Sequence, residues 1–330
     1  MNDSRTVDSE AETGDGLTVQ ISTGSRLHFG LLDTVRPFGG VGVMTEDPVT
    51  EVIVSSADEF CCTERFGSRI GPIAERICER LGQTELPACR VDVVSTAPSH
   101  CGLGSGTQRA LAVAESICSH QKLNVDQRTL ANELASRGRR SVVGTHGYWK
   151  GGLIYESAKE VAGNEFNSVQ ECVAVPVTWR VAVLRPTDHV VSVSGEQERE
   201  KFAELLPASE ESGSELRRLI REEIMPAAMH ADFRRFATST RDYNELSGQL
   251  FASVQGGAYN GTAVSGIIHW LRDFGVLGYG QSSWGPGVFA WFGSQADADR
   301  CLAALPQNIE LVTLTSARNE PRSVVVSEIM

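Results

Sequence analysis

The run Pro98-Ser-His-Cys-Gly-Leu-Gly-Ser-Gly-Thr-Gln108 constrains this chain more than any other stretch. Before it, Arg90 to Ser95 carries Val91, Val93 and Val94 and reads as a short strand. After it, Arg109 to His120 places Ala110, Leu111, Ala114, Ile117 and Cys118 at three- and four-residue spacing, the period of a helix with one apolar face. Three glycines within five residues at such a junction let the main chain turn sharply and come close to a ligand. Unpaired amides and the positive end of the helix dipole then face the same way. This suits an anion, usually phosphate; an ordinary glycine-rich helix cap is the plainer alternative. Ser105 and Thr107 add hydroxyls able to meet phosphate oxygen or a magnesium ion. No Gly-Lys-Ser/Thr follows and the third glycine comes too early, so neither the P-loop nor the dinucleotide fingerprint fits.

A net charge of −12 excludes a broad nucleic-acid surface, so cations for an anionic ligand must be gathered locally. Arg26, Arg36, Arg109, Arg139, Arg140 and Lys150 are the candidates. Arg26 and His28 lie two apart in a strand-like run continuing from Leu17 to Thr23, which puts both on one face, with Leu27 and Phe29 on the other. Gly39 to Gly42 reads as a second glycine-rich turn, and Gly138 to Gly152 as a basic loop holding Arg139, Arg140, His146 and Lys150. A third glycine-rich segment runs from Gly278 to Trp291, with Gln281, Ser282 and Ser283 as uncharged donors at its centre and Trp284 beside them.

The 330 residues suffice for two domains, and no apolar run reaches membrane-spanning length. Residues 1–16 are polar and acidic and read as a disordered tail rather than a signal peptide. Eight scattered cysteines, with only Cys61 and Cys62 adjacent, point to reduced thiols in a cytoplasmic protein without structural zinc. Ser68 to Leu81 and Asp126 to Arg137 read as helices, Val173 to Leu184 as a strand, and Gly195 to Phe251 as a helical scaffold. The best division falls near Ser168 to Cys172, giving domains over 17–170 and 171–330.

In this order the motifs resemble the GHMP superfamily of small-molecule kinases. More narrowly, Arg26-Leu-His-Phe-Gly30, Gly102-Leu-Gly-Ser-Gly-Thr-Gln108, Gly138-Arg-Arg-Ser141 and Gly280-Gln-Ser-Ser-Trp-Gly-Pro286 resemble the β-ribofuranosylaminobenzene 5′-phosphate synthases. The resemblance spans roughly residues 17–325. It implies an α+β fold with a ribosomal S5 domain 2-like N-terminal domain and a ferredoxin-like C-terminal domain. The activity implied is condensation of 5-phosphoribosyl 1-diphosphate with 4-aminobenzoate or 4-hydroxybenzoate, releasing carbon dioxide and diphosphate, in tetrahydromethanopterin biosynthesis. Magnesium is expected and pyridoxal phosphate is not; the partners are small molecules, with no nucleic acid and no membrane, and a homodimer is compatible with the reading.

On this resemblance Arg26 orients the carboxylate and His28 contacts the ring's donor group or relays a proton. Gly102, Leu103, Gly104, Ser105, Gly106, Thr107 and Gln108, with Arg139, Arg140 and Lys150, hold phosphate or diphosphate. Gln281, Ser282, Ser283 and Trp284 form a substrate loop, and Ser105, Thr107 and Glu115 are the metal candidates. Many kinases of the superfamily carry a catalytic aspartate before a Gly-Gly pair; counting back from Gly151 and Gly152, this chain has Gly144 there. Without the resemblance, the residues alone favour ATP, and an ATP-dependent kinase is the alternative.

Overall fold

Alternation of buried and exposed side chains makes the first long strand, and glycines decide where it bends. The computed structural model describes residues 16–138, 140–156, 166–187 and 196–329. β1 (Gly16–Leu31) and β2 (Gly40–Ser56) pair antiparallel along most of their length, with register shifts between Thr23 and Ser25 and between His28 and Gly30. At Gly24 a side chain would meet the Thr45 carbonyl oxygen at 1.9 Å, so only glycine permits the first irregularity. Between the two bulges the strand stays regular: Leu27 and Phe29 are fully buried on one face, while Arg26 and His28 share the other.

β3 (Cys61–Cys62) and β4 (Cys89–Ser95) extend one flank of this sheet. β5 (Leu153–Glu156) pairs with the opening of β2, and β6 (Val169–Val173) pairs with β5. Helices α1 (Gly67–Leu81) and α2 (Ser105–His120) cover one face; Ile70, Ile73, Ile77, Leu111, Ala114 and Ile117 pack there against Val19, Ile21, Val52, Val54 and Val91. The expected helix at Asp126 to Arg137 contains a π-helical turn over Thr129–Leu134.

The basic loop expected over Gly138 to Gly152 is in part a helix, α3 (Val143–Lys150). Gly147 lies inside it because a β-carbon would come within 2.5 Å of Met44 Sδ, so the helix sits directly on β2. The strand expected from Val173 to Leu184 is broken. β6 ends at Val173, a turn closes from the Trp179 N–H to the Pro176 carbonyl at 3.1 Å, and β7 (Arg180–Pro186) begins a second sheet. Pro176 cannot donate to a ladder, which accounts for the interruption.

After α4 (Glu196–Ala203), α5 (Glu210–Arg218), α6 (Met225–Met229), α7 (Phe233–Gln249), α8 (Ala252–Gln255) and α9 (Gly261–Phe274) come β8 (Gly278–Gln281), β9 (Val288–Phe292), α10 (Gln295–Leu302) and β10 (Ile309–Thr315). The second sheet has the order β10-β7-β9-β8, all antiparallel. With α9 and α10 packed on its strands, this is the ferredoxin-like arrangement. β11 (Ser323–Ile329) then returns to the first sheet beside β1. A division at 170/171 therefore falls inside β6, and the first sheet also takes residues 323–329. Gly16, read as the end of the tail, opens β1; residues 1–15 lie outside the described residues.

A core of Leu27, Phe29, Val41, Val183, Phe236, Tyr243, Phe289 and Trp291 joins the two sheets. It fixes the inner end of β1 against α7 and β9. Arg26 and His28 are thereby held where the two halves meet.

Candidate active site

Gly102 (φ 74°) and Gly104 (φ 66°) are left-handed, and Gly104 is the residue that turns the chain into α2. The helix starts four residues earlier than the apolar period suggests, at Ser105, with no side chain capping its first amides. The Thr107 N–H closes on the Gly104 carbonyl at 2.9 Å, and the amides of Ser105 and Gly106 are the donors the first turn offers a ligand. A cavity of about 280 Å³ opens in front of it, lined by Ser99, His100, Gly102 to Thr107, Arg26, Arg69, Arg137 and the loop Ser283 to Gly285. Among the described residues no carboxylate lines this cavity.

The distant loop after β8 is clamped onto the glycine turn. Ser282 Oγ donates to the Gly102 carbonyl at 2.6 Å and accepts from the His28 N–H at 3.0 Å, and a β-carbon on Gly102 would strike the Ser282 carbonyl at 2.2 Å. Three motifs far apart in sequence thereby form one wall.

Arg26 crosses that wall. Its main-chain N–H donates to the Leu103 carbonyl at 2.9 Å, and its Nη1 donates to Ser283 Oγ at 2.9 Å. The guanidinium lies between two glycines: a β-carbon on Gly104 would sit 3.4 Å from Arg26 Nε, and one on Gly144 3.3 Å from it. Nε is buried and has no hydrogen-bond partner among the described residues, which leaves it as a donor for a ligand. Burial lowers its pKa to about 10, partly offset by the Glu156 carboxylate, so Arg26 remains a cation at neutral pH.

On the other side of Arg26 is a second cavity of about 220 Å³. Its walls include His28, Arg140, Ser141 and Asn244, and three aromatic rings, Phe202, Phe251 and Trp284. The rings pack on one another with centroids 5.0 to 5.5 Å apart, and the Arg140 guanidinium lies 4.0 Å over Phe202. Arg26, Ser283 and Trp284 belong to both cavities. His28 Nε2 lies 2.8 Å from Ser141 Oγ, which donates to Glu156 Oε2 at 2.8 Å. Burial and the nearby Arg26 hold the His28 pKa well below the usual imidazole value, so His28 is neutral. A pocket lined by amides, hydroxyls and arginines and a pocket lined by aromatic rings, joined at one arginine, can bring a phosphorylated group and a planar ring together.

Residues 68–150 match the GHMP kinases N-terminal domain, and residues 224–311 match the GHMP kinases C-terminal domain. The chain belongs to the GHMP superfamily. Two relatives alike over more than four fifths of the chain are β-ribofuranosylphenol 5′-phosphate synthases. The protein of that name from Methanothermobacter thermautotrophicus is 28% identical over 295 residues, 82% of this chain and 87% of its own. That from Archaeoglobus fulgidus is 29% identical over 298 residues, 84% of this chain and 89% of its own. Among solved structures the fold matches MDDEF in complex with MVAPP, AMPPCP and magnesium, at a TM-score of 0.66 and 13% identity, covering 95% of this chain and 99% of that one.

Within this GHMP fold several expected ligand residues do other work. Gln108 is fully buried, accepting from Thr23 Oγ1 at 3.0 Å and donating to the Gly144 carbonyl at 2.8 Å; it locks α2 to β1 and α3 instead of meeting phosphate. Lys150 is exposed at the end of α3 and lines neither cavity. Arg140 faces the aromatic cavity and not the glycine turn, and Arg139 lies outside the described residues.

Glu115 accepts from Tyr148 Oη at 2.5 Å and from Arg322 Nε at 3.1 Å, two further turns along α2, so it is a structural ion pair and not a metal ligand. Ser105 and Thr107 do line the anion cavity, and among the described residues no cluster of three or more His, Cys, Asp or Glu side chains is arranged to hold a metal. Gln281 braces its own loop, donating to the Ser283 carbonyl at 3.0 Å, and Ser282 is a fully buried clamp; Ser283 is exposed, Trp284 is half-buried, and both line the two cavities. Arg109 turns away from the cavity, stacks 4.4 Å over Phe66, and has its pKa lowered to about 10 by burial, reinforced by Arg69, Arg137 and Arg65.

Sequence reasoning missed Arg69, Arg137, Phe202, Phe251 and Glu156. Only Glu156 left a signal, an acid ending the otherwise uncharged run Leu-Ile-Tyr-Glu, where a buried strand has no ordinary use for a charge.

Proposed function

We propose that this chain is a decarboxylating phosphoribosyltransferase of the β-ribofuranosylbenzene 5′-phosphate synthase type. It joins 5-phosphoribosyl 1-diphosphate to 4-hydroxybenzoate or 4-aminobenzoate and releases carbon dioxide and diphosphate. The relatives named above support this reading, and the observation that carries it is the pair of cavities meeting at Arg26.

The diphosphate is assigned to the amides of the first turn of α2, with Arg69 and Arg137 at the rim, where negative charge grows as the C1–O bond of the sugar breaks. The benzoate ring is assigned to the cage of Phe202, Phe251 and Trp284. Its carboxylate end points to Arg26 and its para substituent to His28, two residues further along β1. The ring carbon bearing the carboxylate then lies at the wall the cavities share, facing C1. Magnesium belongs to this reading as the partner of the diphosphate: the cavity offers Ser105 and Thr107 hydroxyls but no carboxylate, so phosphate oxygens supply most of the coordination. The eight free thiols suit a cytoplasmic enzyme.

A kinase of the same fold is the second reading, and Gly144 disfavours it. An aspartate there would begin 3.3 Å from Arg26 Nε, and glycine supplies no side chain to take a proton. Incubation with 5-phosphoribosyl 1-diphosphate, magnesium and carboxyl-labelled 4-hydroxybenzoate or 4-aminobenzoate tests the choice. Release of label as carbon dioxide with diphosphate is expected; ADP formed from ATP with no label released refutes the synthase reading.

A further inference from the structure

Behind His28 the aromatic cavity has a floor of linked polar groups that the assignments above do not use. His28 Nδ1 accepts from the Gly30 N–H at 3.2 Å, so in the neutral ring the proton is on Nε2, which donates to Ser141 Oγ at 2.8 Å. With both nitrogens engaged, His28 has no lone pair to offer a substrate. Ser141 passes its own proton onward, donating to Glu156 Oε2 at 2.8 Å. Glu156 is wholly shielded from solvent and is held by two further donors, the Val142 N–H at 3.0 Å on Oε2 and Asn167 Nδ2 at 2.7 Å on Oε1. A carboxylate buried at the end of a strand, connected to a ligand cavity through one serine hydroxyl, is costly to keep unless the charge is used.

We propose that Ser141 and Glu156 form a proton store for the aromatic cavity, taking the proton of a para-hydroxyl as the ring attacks the sugar and returning it as carbon dioxide leaves. The inference rests on the synthase reading. In the first step the substrate O–H takes the place of the Val143 N–H, which Ser141 Oγ accepts at 3.2 Å and which also serves Glu156, and breaks toward Ser141 Oγ while the Ser141 proton moves to Glu156. The oxygen's electron pair forms a C=O bond, a ring pair forms the bond to C1, and the C1–O pair leaves with diphosphate. In the second step the bond to the carboxylate carbon breaks, its pair restores the aromatic ring, and the stored proton returns to the para oxygen through Ser141. No proton or electron is left over.

The geometry suits a benzoate. Ser141 and His28 line the same cavity as Arg26, and two residues of strand separate His28 from Arg26 by about 7 Å, a length comparable with the span from carboxylate to para oxygen. Among the described residues Arg26 from β1 and Tyr243 from α7 are electrostatically coupled to Glu156, and His28 from β1 reaches it through Ser141. Arg26 stays charged, His28 neutral, and Tyr243, whose pKa burial pushes well above the usual phenol value, protonated. Burial raises Glu156 to about 7, against the pull of hydrogen bonds from Asn167, Ser141, Val142 and Val143, so it is the member of the group that changes charge near neutral pH.

The test compares wild type, Glu156→Gln and Ser141→Ala on 4-hydroxybenzoate and on a ring-fluorinated 4-hydroxybenzoate whose hydroxyl is already ionised at the assay pH. With the ordinary substrate either variant is expected to lose about 100-fold in kcat. With the ionised substrate the loss should shrink to less than about fivefold, because no proton needs a home at the first step. The wild-type rate should rise with pH through about 7, and that limb should vanish in Glu156→Gln. Equal losses on both substrates, or an unchanged pH profile, would overturn the proton store. If Glu156→Gln does not fold, Ser141→Ala, which keeps the carboxylate, carries the comparison alone. Absence of carbon dioxide release by wild type refutes the synthase reading itself, and is seen without any variant.

Discussion

The two cavities that meet at Arg26 are built by opposite means. The anion cavity is mostly main chain: a glycine turn, the uncapped start of α2 and a clamped loop, with arginines only at the rim. The aromatic cavity is mostly side chain, with Phe202, Phe251 and Trp284 brought together from three separate segments between residues 202 and 284. Backbone amides bind whatever anion fits, whatever the neighbouring side chains are. A cage of rings is specific to its occupant and can change by single substitutions. A fold that keeps the first cavity and rebuilds the second can change its chemistry without losing its phosphate site.

Arg26→Gln should break both compartments at once, since Arg26 is the side chain that ties the Ser283 loop at the shared wall. Turnover should fall by well over tenfold, on the order of 2–4 kcal/mol for one charge-assisted contact at a reacting centre, with folding intact. Circular dichroism and label release measured on the same sample check both halves of that expectation. Near-normal turnover would remove Arg26 from the reaction.

The same contrast decides what could be read from the sequence. The glycine turn is contiguous, its amides need no particular partner, and Gly102 to Thr107 line the cavity as the spacing suggests. Arg26 and His28 were legible because a regular strand places alternate residues on one face, and the bulges fall on either side of that pair. Gln108 and Glu115 were misread because helix position alone does not tell which way a side chain turns. Gln108 turns inward to Gly144, and Glu115 is taken by Tyr148 and Arg322, the latter more than 200 residues away. Lys150 was misread because α3 is a helix on β2 and carries it away from the site. The aromatic cage had no local pattern to find, since its members come from different elements.

Arg69→Ala should separate the compartments from the anion side. Arg69 lies in α1, is exposed, and lines only the anion cavity. The KM for phosphoribosyl diphosphate should rise about three- to tenfold, the low end expected for a charged contact open to solvent, with the benzoate KM unchanged. Steady-state titration of each substrate at saturation of the other reads this directly. A rise in the benzoate KM instead would place Arg69 in the wrong compartment.

Phe251→Leu is the matching change on the aromatic side. It retains an apolar side chain but removes the edge-to-face contacts with Phe202 and Trp284, at centroid separations of 5.5 and 5.3 Å. Aromatic pairs contribute about 0.5–1.5 kcal/mol beyond area, so the benzoate KM should rise by about two- to tenfold with the diphosphate KM unmoved. Were both constants to shift together, the cavities would be one compartment, and the distinction between main-chain and side-chain construction would lose its functional meaning.

Lys150→Ala should do least, and for that reason it tests the structure against the sequence most directly. By composition Lys150 is as good a phosphate ligand as any arginine in its neighbourhood, bracketed by glycines and a few residues from Arg140. In the fold it is exposed at the C-terminal end of α3, where its positive charge favours the helix dipole and adds to the burial that lowers the His146 pKa, and it reaches neither cavity. Both KM values and kcat should stay within about twofold of wild type, while stability falls by no more than about 1 kcal/mol from the lost helix-end charge. A tenfold rise in the diphosphate KM would mean that α3 unwinds when substrate binds and that the loop read from the sequence exists in the working enzyme.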